Sequence, residues 1–168
     1  MSEMNRLLQH FILALLIAVI SRPVSAWEYL ENKDDFDDTV FKYIKSEYVK
    51  PNRPLSWPNS DPVVYLYYQC NNQFFVLRNS ANNLNDGASE DGWTRYNFRA
   101  KINEGTIFEI TALNDWGSEY FLLQDKFLIS RFSNEGVQSL FIELDHFGDG
   151  RRHYKFDITE LDTSQCDQ

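Results

Sequence analysis

The chain has 168 residues, and its 25 acidic residues outnumber its 16 lysines and arginines, so its formal net charge is −9 at pH 7. A charge of this sign repels nucleic-acid phosphates, which excludes nucleic acid as an expected partner. Aromatic residues make up 15% of the chain, and their burial offsets chain entropy, which excludes a disordered protein.

The amino terminus has the layout of a secretory signal. Residues 11–20 are uncharged and apolar, Arg6 precedes them, and small residues lead up to Ala26. This pattern predicts a signal peptide over residues 1–26 that is cleaved after Ala26. The alternative is an uncleaved anchor, but a membrane-spanning helix needs about 20 apolar residues. We therefore expect no stable membrane anchor and an exported domain that is periplasmic or possibly extracellular.

Apolar and polar residues alternate in short runs from residue 40 onward, with Gly, Pro, Asn and Asp between the runs. Alternation with period two is typical of β-strands. The sequence predicts a mainly β fold over residues 27–168, an antiparallel β-sandwich-like single domain with one short helix after the cleaved signal peptide. Strands are expected at residues 28–29, 39–47, 62–70, 73–78, 93–102, 105–113, 120–123, 140–146 and 153–157.

Turns, loops and the helix follow from local residue types. Asn71 and Asn72 predict a tight hairpin turn because Asn tolerates positive φ, and residues 148–150 predict a second one. The second turn is expected to bring His146 near His153. Near-helical spacing of apolar residues predicts the short helix at residues 124–133. Residues 50–58 and 80–92 are expected to be loops.

The two cysteines, Cys70 and Cys166, both lie in the predicted mature domain. In an oxidising compartment an even pair persists as a disulfide, so we expect them to be joined. Two separate free thiols remain the alternative. A catalytic redox pair is disfavoured because such pairs are closely spaced, as in a Cys-x-x-Cys motif.

Two groups of residues offer metal ligands, and neither predicts a metal or any other cofactor. His146 and His153 form a weak site because no third ligand is placed with them. Four carboxylates at residues 34–38 offer oxygens to a hard cation, but their spacing matches no calcium loop, and solvated turn residues are the favoured interpretation. These carboxylates are Asp34, Asp35, Asp37 and Asp38.

No Ser-His-Asp or Cys-His arrangement is visible in the sequence, so we expect a protein that is not an enzyme. The enzymatic alternative is an envelope hydrolase with Asp115 and Glu119 as its acids and Trp116 stacked on a sugar. The strand at residues 93–98 is expected to place its aromatic residues on one face, for core packing, and its polar residues on the other. Arg95 is therefore a candidate partner contact, although cross-strand pairing with an acid would equally satisfy it.

Several sequence marks follow one another in a distinctive order over residues 27–166. They are an early Trp27 before Asp37 and Asp38, a strand that ends in Cys70 and has a hairpin partner, the segment Arg95-Tyr96-Asn97-Phe98, a short helix near residues 126–132, the segment Phe156-Asp157-Ile158, and a terminal Cys166. This order resembles the VasI/TagO family of exported proteins associated with type VI secretion. The resemblance implies a periplasmic accessory protein without catalytic residues, with a disulfide between Cys70 and Cys166.

These observations favour a non-catalytic protein that binds a protein partner in the periplasm or cell envelope, in association with type VI secretion. The alternative is a periplasmic immunity or inhibitor protein that caps a basic toxin or enzyme. The net charge of −9 motivates this alternative, because complementary fields speed the encounter of two proteins.

Overall fold

The structure is a computed structural model, which describes residues 26–35, 37–81, 83–85, 87–115, 117–125, 127–132 and 136–167. The predicted signal peptide lies outside the described residues except for Ala26, and so does Trp116. In these ranges no helix combines the length and the apolar character needed to cross a bilayer.

Ten strands, one short α-helix and one 3-10 helix make up the described part of the chain. The α-helix, α1, is Leu128–Phe132, and the 3-10 helix is Thr163–Asp167. The strands are β1 (Trp27–Lys33), β2 (Val40–Ser46), β3 (Val64–Gln69), β4 (Phe74–Asn79), β5 (Ala88–Glu90), β6 (Trp93–Ile102), β7 (Phe108–Asp115), β8 (Tyr120–Leu123), β9 (Ser139–His146) and β10 (Gly150–Asp157).

All ten strands belong to one antiparallel sheet with the order β1-β2-β3-β4-β8-β7-β6-β9-β10, and β5 pairs with β6. The segment after β2 joins two distant parts of this sheet. Val49 forms a bridge with Val64 of β3, and Pro51 forms one with Tyr154 of β10. The sheet is therefore so strongly curled that β3 and β10 lie on either side of residues 49–51. The prediction of a mainly antiparallel β fold is confirmed.

The core fills the concave inner side of the curled sheet. Alternate residues of each long strand point inward, as the pleat requires, and they form one apolar cluster. Burying an aliphatic or aromatic side chain of this size contributes about 1.5 to 3 kcal/mol. Members of the cluster that are fully or almost fully buried include Ile44, Leu66, Leu77, Phe121, Ile142 and Tyr154.

Most predicted strands occur within two residues of their expected bounds, and five elements differ more. β7 begins at Phe108 rather than at residue 105. β1 is seven residues long rather than two, because its pairing with β2 continues through a charged segment that carries no strand signal. β5 lies inside the predicted loop at residues 80–92, and β10 begins at Gly150 rather than residue 153. The helix is half the predicted length.

The hairpin turn between β3 and β4 differs from its prediction. The residue with positive φ is Gln73, at 54°, rather than Asn71 or Asn72. The Asn71 side chain instead extends to β2, where its Nδ2 donates to the Val40 carbonyl at 3.2 Å and its Oδ1 accepts from the Lys42 amide at 3.3 Å. Asn71 therefore links two hairpins. The turn at residues 148–150 is as predicted, with positive φ at Gly148 and Gly150.

The predicted disulfide is present in the structure. Cys70 and Cys166 are bonded, and their Cα atoms lie 5.3 Å apart. Cys70 follows the last residue of β3, whereas Cys166 lies in the 3-10 helix. The bond therefore holds the carboxyl-terminal segment against the end of the sheet at which β3 ends.

Candidate functional site

Part of the outer face of strands β2, β3, β4, β7 and β8 is apolar, although it faces away from the core. An antiparallel sheet with one buried face normally presents polar residues on the other. Here a groove with a volume of about 640 Å³ lies across these strands. We call it the aromatic groove, and its half-buried floor consists of Tyr43, Tyr67, Phe74, Val76, Leu113 and Leu122.

The rim of the aromatic groove is aromatic in some places and polar in others. Phe41, Trp93 and Tyr120 expose 37%, 47% and 49% of their surface, which is a large fraction for residues of this type. The rest of the rim carries amide, hydroxyl and carboxylate groups. These polar lining residues are Asn32, Gln69, Asp115 and Ser118.

Tyrosine rings contact one another along the groove floor and beyond it. The Tyr67 ring centroid lies 5.9 Å from that of Tyr43, 6.3 Å from that of Tyr120 and 6.1 Å from that of Tyr65. Ring pairs at such distances attract each other when they are tilted or edge-on, as these are. These contacts restrict the positions of the tyrosine rings.

Two cations lie among the tyrosines, and each has an acidic partner. Arg78 Nε donates to a Glu119 carboxylate oxygen at 3.0 Å, and its guanidinium lies 5.7 Å from the Tyr120 ring centroid. Lys45 lies 2.9 Å from a Glu28 carboxylate oxygen and 5.4 Å from the Tyr65 ring centroid. The groove therefore carries little net charge at its centre.

Hydrogen bonds and burial shift the pKa values of three groups in and beside the groove. The hydrogen bond that Lys45 donates to Glu28 raises the pKa of Lys45, and the one that Arg78 donates to Glu119 raises the pKa of Arg78. Burial raises the pKa of Tyr67. Near neutral pH these groups keep their protons, so they are suited to contact rather than to proton transfer.

Arg95 lies beside the aromatic groove. It is exposed on β6, where its register neighbour on β7 is Leu113 of the groove floor. The prediction that the aromatic residues of this strand share the core face is wrong for Trp93. Residues 93 and 95 lie on the same face because side chains alternate along a strand. Of the three aromatic residues of β6, Tyr96 and Phe98 pack against the core. Trp93 is a rim residue instead.

The predicted proximity of His146 and His153 is wrong. His146 pairs with Gly150, and His153 pairs with Glu143, three residues earlier on β9, which places the two imidazoles on opposite faces. His146 is fully buried rather than exposed. His153 Nε2 lies 2.8 Å from a Glu143 carboxylate oxygen on the outer face. The two side chains do not form a joint site.

The aspartates at residues 34–38 serve the hairpin between β1 and β2. An Asp37 carboxylate oxygen accepts from the Thr39 amide at 2.9 Å, and hydrogen bonds from Thr39 lower the pKa of Asp37. Asp38 pairs with Lys33 at 2.5 Å. Across the described ranges, no three His, Cys, Asp or Glu side chains are grouped closely enough to hold a metal ion.

The acids of the hydrolase alternative have separate surroundings. Glu119 is paired with Arg78, and Asp115 lies on the groove rim. Trp116, the proposed sugar platform, lies outside the described residues.

Sequence reasoning missed the aromatic groove, although a signal for it exists. Residues 63–68 and 120–123 are apolar at every position rather than at every second one. A continuous apolar run in a strand indicates that both faces are covered. In this fold the core covers one face only, so the other face becomes the groove.

Comparison with known proteins found no match. None of the family models, the curated proteins or the solved structures is significantly similar to this chain. The chemistry of the groove and the order of sequence marks are therefore the basis for a function.

Proposed function

We propose that this protein is a non-catalytic binding protein of the periplasm or cell envelope, accessory to type VI secretion, and that it holds a partner protein in the aromatic groove. One observation carries the proposal: an apolar and aromatic patch crosses the outer face of five strands, where an antiparallel sheet is normally polar. The resemblance to the VasI/TagO family supports the secretion role and the location.

The groove has the composition of a protein-binding surface. Such surfaces have an apolar centre and a polar rim, and Tyr, Trp and Arg are the residues that carry most of the binding energy. Tyr67 lies at the centre of this groove, whereas Trp93 and Tyr120 stand at its rim. Contiguous exposed apolar surface is also rare on soluble monomers unless it serves an interaction.

A protein partner fits the groove better than a highly polar ligand. The groove's two cations, Lys45 and Arg78, already pair with Glu28 and Glu119. A charged ligand would have to replace these pairs, whereas an apolar side chain would only displace water from the floor.

A crosslinking pull-down from the native envelope, quantified by mass spectrometry, tests the proposal. We expect subunits of the secretion apparatus or envelope proteins to be recovered with the wild-type chain. Trp93→Ser is expected to reduce their recovery about tenfold, because a rim aromatic of an interface contributes on the order of 1 to 2 kcal/mol. Phe147→Ser is the matched control, since Phe147 is 74% exposed and lies outside the groove lining.

Equal recovery with Trp93→Ser and with wild type would remove the groove from the proposal. The secretion role has its own test, in a host that encodes the apparatus. We expect deletion of the gene to reduce effector delivery, and reintroduction of the wild-type gene to restore it. Unchanged delivery in the deletion strain would contradict the secretion role.

The second candidate function is an immunity or inhibitor protein that caps a basic toxin or enzyme. It is favoured by the net charge of −9 and by the carboxylate of Asp115 on the groove rim. Recovery of one basic protein, released by moderate salt, would support this candidate over the accessory role.

A further inference from the structure

β1 is an edge strand, and its register identifies which backbone groups face outward. Among the strands in the described part of the chain, β1 pairs with β2 alone. The Asp34 amide donates to the Thr39 carbonyl at 2.8 Å, and the Glu47 amide donates to the Ala26 carbonyl at 2.9 Å. Even-numbered residues of β1 therefore direct their N–H and C=O groups toward β2. The same groups of Tyr29, Glu31 and Lys33 point away from it.

β1 is exposed at Glu31 and Lys33 and half-buried at Tyr29. Among the described residues, no backbone hydrogen bond joins Tyr29, Glu31 or Lys33 to any segment on this side. An edge of this kind is a template for pairing with another strand.

The edge of β1 continues into the aromatic groove. Leu30 and Asn32, on the same strand, form one end of the groove lining, next to Phe41 of β2. A strand added beside β1 would lie about 4.8 Å away, with alternate side chains on the groove side. Its other side chains would lie next to Glu31.

Charge around this edge selects the kind of strand that fits. Glu28 and Glu31 lie on β1 and pair with Lys45 and Lys42 of β2, and Lys33, the one cation of β1, is paired with Asp38. The hairpin that follows carries three more aspartates, Asp34, Asp35 and Asp37. A second copy of this chain would bring the same acidic edge against itself, and like charges directly opposite destabilise strand pairing. A basic strand is attracted instead.

We propose that the edge of β1 receives an extended strand from the partner protein, with apolar residues toward the aromatic groove and basic residues toward Glu31. This inference rests on the proposed function, because it describes how the partner of the groove is held. Backbone hydrogen bonds hold the strand, and the groove selects its apolar side chains.

Amide hydrogen exchange in the protein isolated from its producing cells tests the inference. The probe is an 11-residue peptide of alternating valine and lysine, N-methylated along one edge so that it does not self-associate. In the free protein we expect fast exchange at residues 29, 31 and 33 and slow exchange at residues 28, 30 and 32. With the peptide we expect exchange at residues 29, 31 and 33 to slow at least about tenfold.

A pair of substitutions at one position separates the backbone from the side chain. Glu31→Pro removes an outward N–H without removing a hydrogen bond to β2, and proline is tolerated at strand edges. We expect it to weaken peptide binding about tenfold or more, whereas Glu31→Ala weakens it only about threefold by removing one acid. Circular dichroism at 25 °C establishes that both variants are folded.

Three outcomes overturn the inference. One is protection of residues 29, 31 and 33 in dilute protein without peptide, or protection that grows with protein concentration, which would indicate a second copy. Another is equal binding by Glu31→Pro and Glu31→Ala. The third is no protection at about 1 mM peptide, the weak end of specific binding. If Trp93→Ser still reduces partner recovery in that case, the proposed function of the groove stands, and only the proposal for the β1 edge is overturned.

Discussion

The Tyr154 hydroxyl and Nε2 of His146 lie 2.8 Å apart in the buried interior. Nδ1 of the same imidazole lies 3.1 Å from Asn83 Oδ1. Because an amide oxygen only accepts, the proton is on Nδ1, and Nε2 accepts from the tyrosine. One neutral histidine thus joins β9 and β10 to the loop before β5.

Acid is expected to destabilise the protein through His146. Burial, followed by the nearby charge of Arg152, lowers the pKa of His146 from 6.5 to about 4. The unfolded chain therefore binds a proton between these values while the folded chain does not. The contribution of His146 to stability is constant well above pH 6.5 and falls by up to about 3 kcal/mol as the pH drops toward 4. Urea unfolding at pH 7, 5.5 and 4.5 measures this loss.

His146→Gln is expected to be less stable at pH 7 but to lose less stability between pH 6.5 and 4, because glutamine does not titrate. His153→Gln is the control, since His153 is exposed and lies outside this network. It should retain the wild-type decline over this pH interval. An unchanged decline in His146→Gln would show that another group is responsible.

The disulfide is expected to be a large contribution to stability. Cys70 and Cys166 are 96 residues apart, and closing a loop of that length stabilises the folded state by about 4 to 5 kcal/mol in the chain-entropy model. The double variant Cys70→Ser/Cys166→Ser should unfold at a correspondingly lower urea concentration. Wild-type protein under reducing conditions should match the double variant, whereas a reductant should not affect the variant itself.

Much of the fold could be predicted because its signals are local. Most strands were located closely, with β6 and β8 at their observed bounds, and Cys70 and Cys166 are joined as expected. The extension of β1 could not be predicted, since Glu31, Asn32 and Lys33 carry no strand signal. Its pairing depends on β2, to which it forms a hairpin.

The candidate site was harder to predict because it depends on which face the curled sheet encloses. Trp93 and Phe98 are both aromatic residues of β6, yet the first lies on the groove rim and the second in the core. The sequence gives His146 and His153 the same expected surroundings, and only the pairing register places them on opposite faces of the sheet. Propensity and spacing do not contain this information.

Trp27 is expected to anchor the beginning of β1 to the end of the sheet's last strand. Its Nε1 donates to the Asp157 carbonyl at 2.9 Å, and only 4% of its surface is exposed. Trp27→Phe loses this hydrogen bond and leaves a cavity, so we expect a loss of about 2 to 4 kcal/mol in urea unfolding. Trp57→Phe is the control, because Trp57 is 88% exposed and should change stability by less than about 0.5 kcal/mol.

Asn103 organises the turn after β6 through its side chain. Its Oδ1 accepts from the amides of Gln138 and Ser139 at 2.9 and 3.0 Å, and its Nδ2 donates to the Gly136 carbonyl at 2.8 Å. Its φ is 51°, in the left-handed region that asparagine tolerates. One residue therefore joins the end of β6 to the entry into β9.

Asn103→Ala is expected to lower the free energy of unfolding by about 2 to 4 kcal/mol, because three hydrogen bonds are lost and alanine is strained at positive φ. Asn103→Gly loses the same bonds without the strain, so it should be about 1 kcal/mol more stable than Asn103→Ala. Asn72→Ala, at an exposed position of another turn, should change stability by less than about 0.5 kcal/mol in the same urea titration. Equal losses for the alanine and glycine variants of Asn103 would show that the backbone is unstrained there and that the hydrogen bonds account for the whole effect.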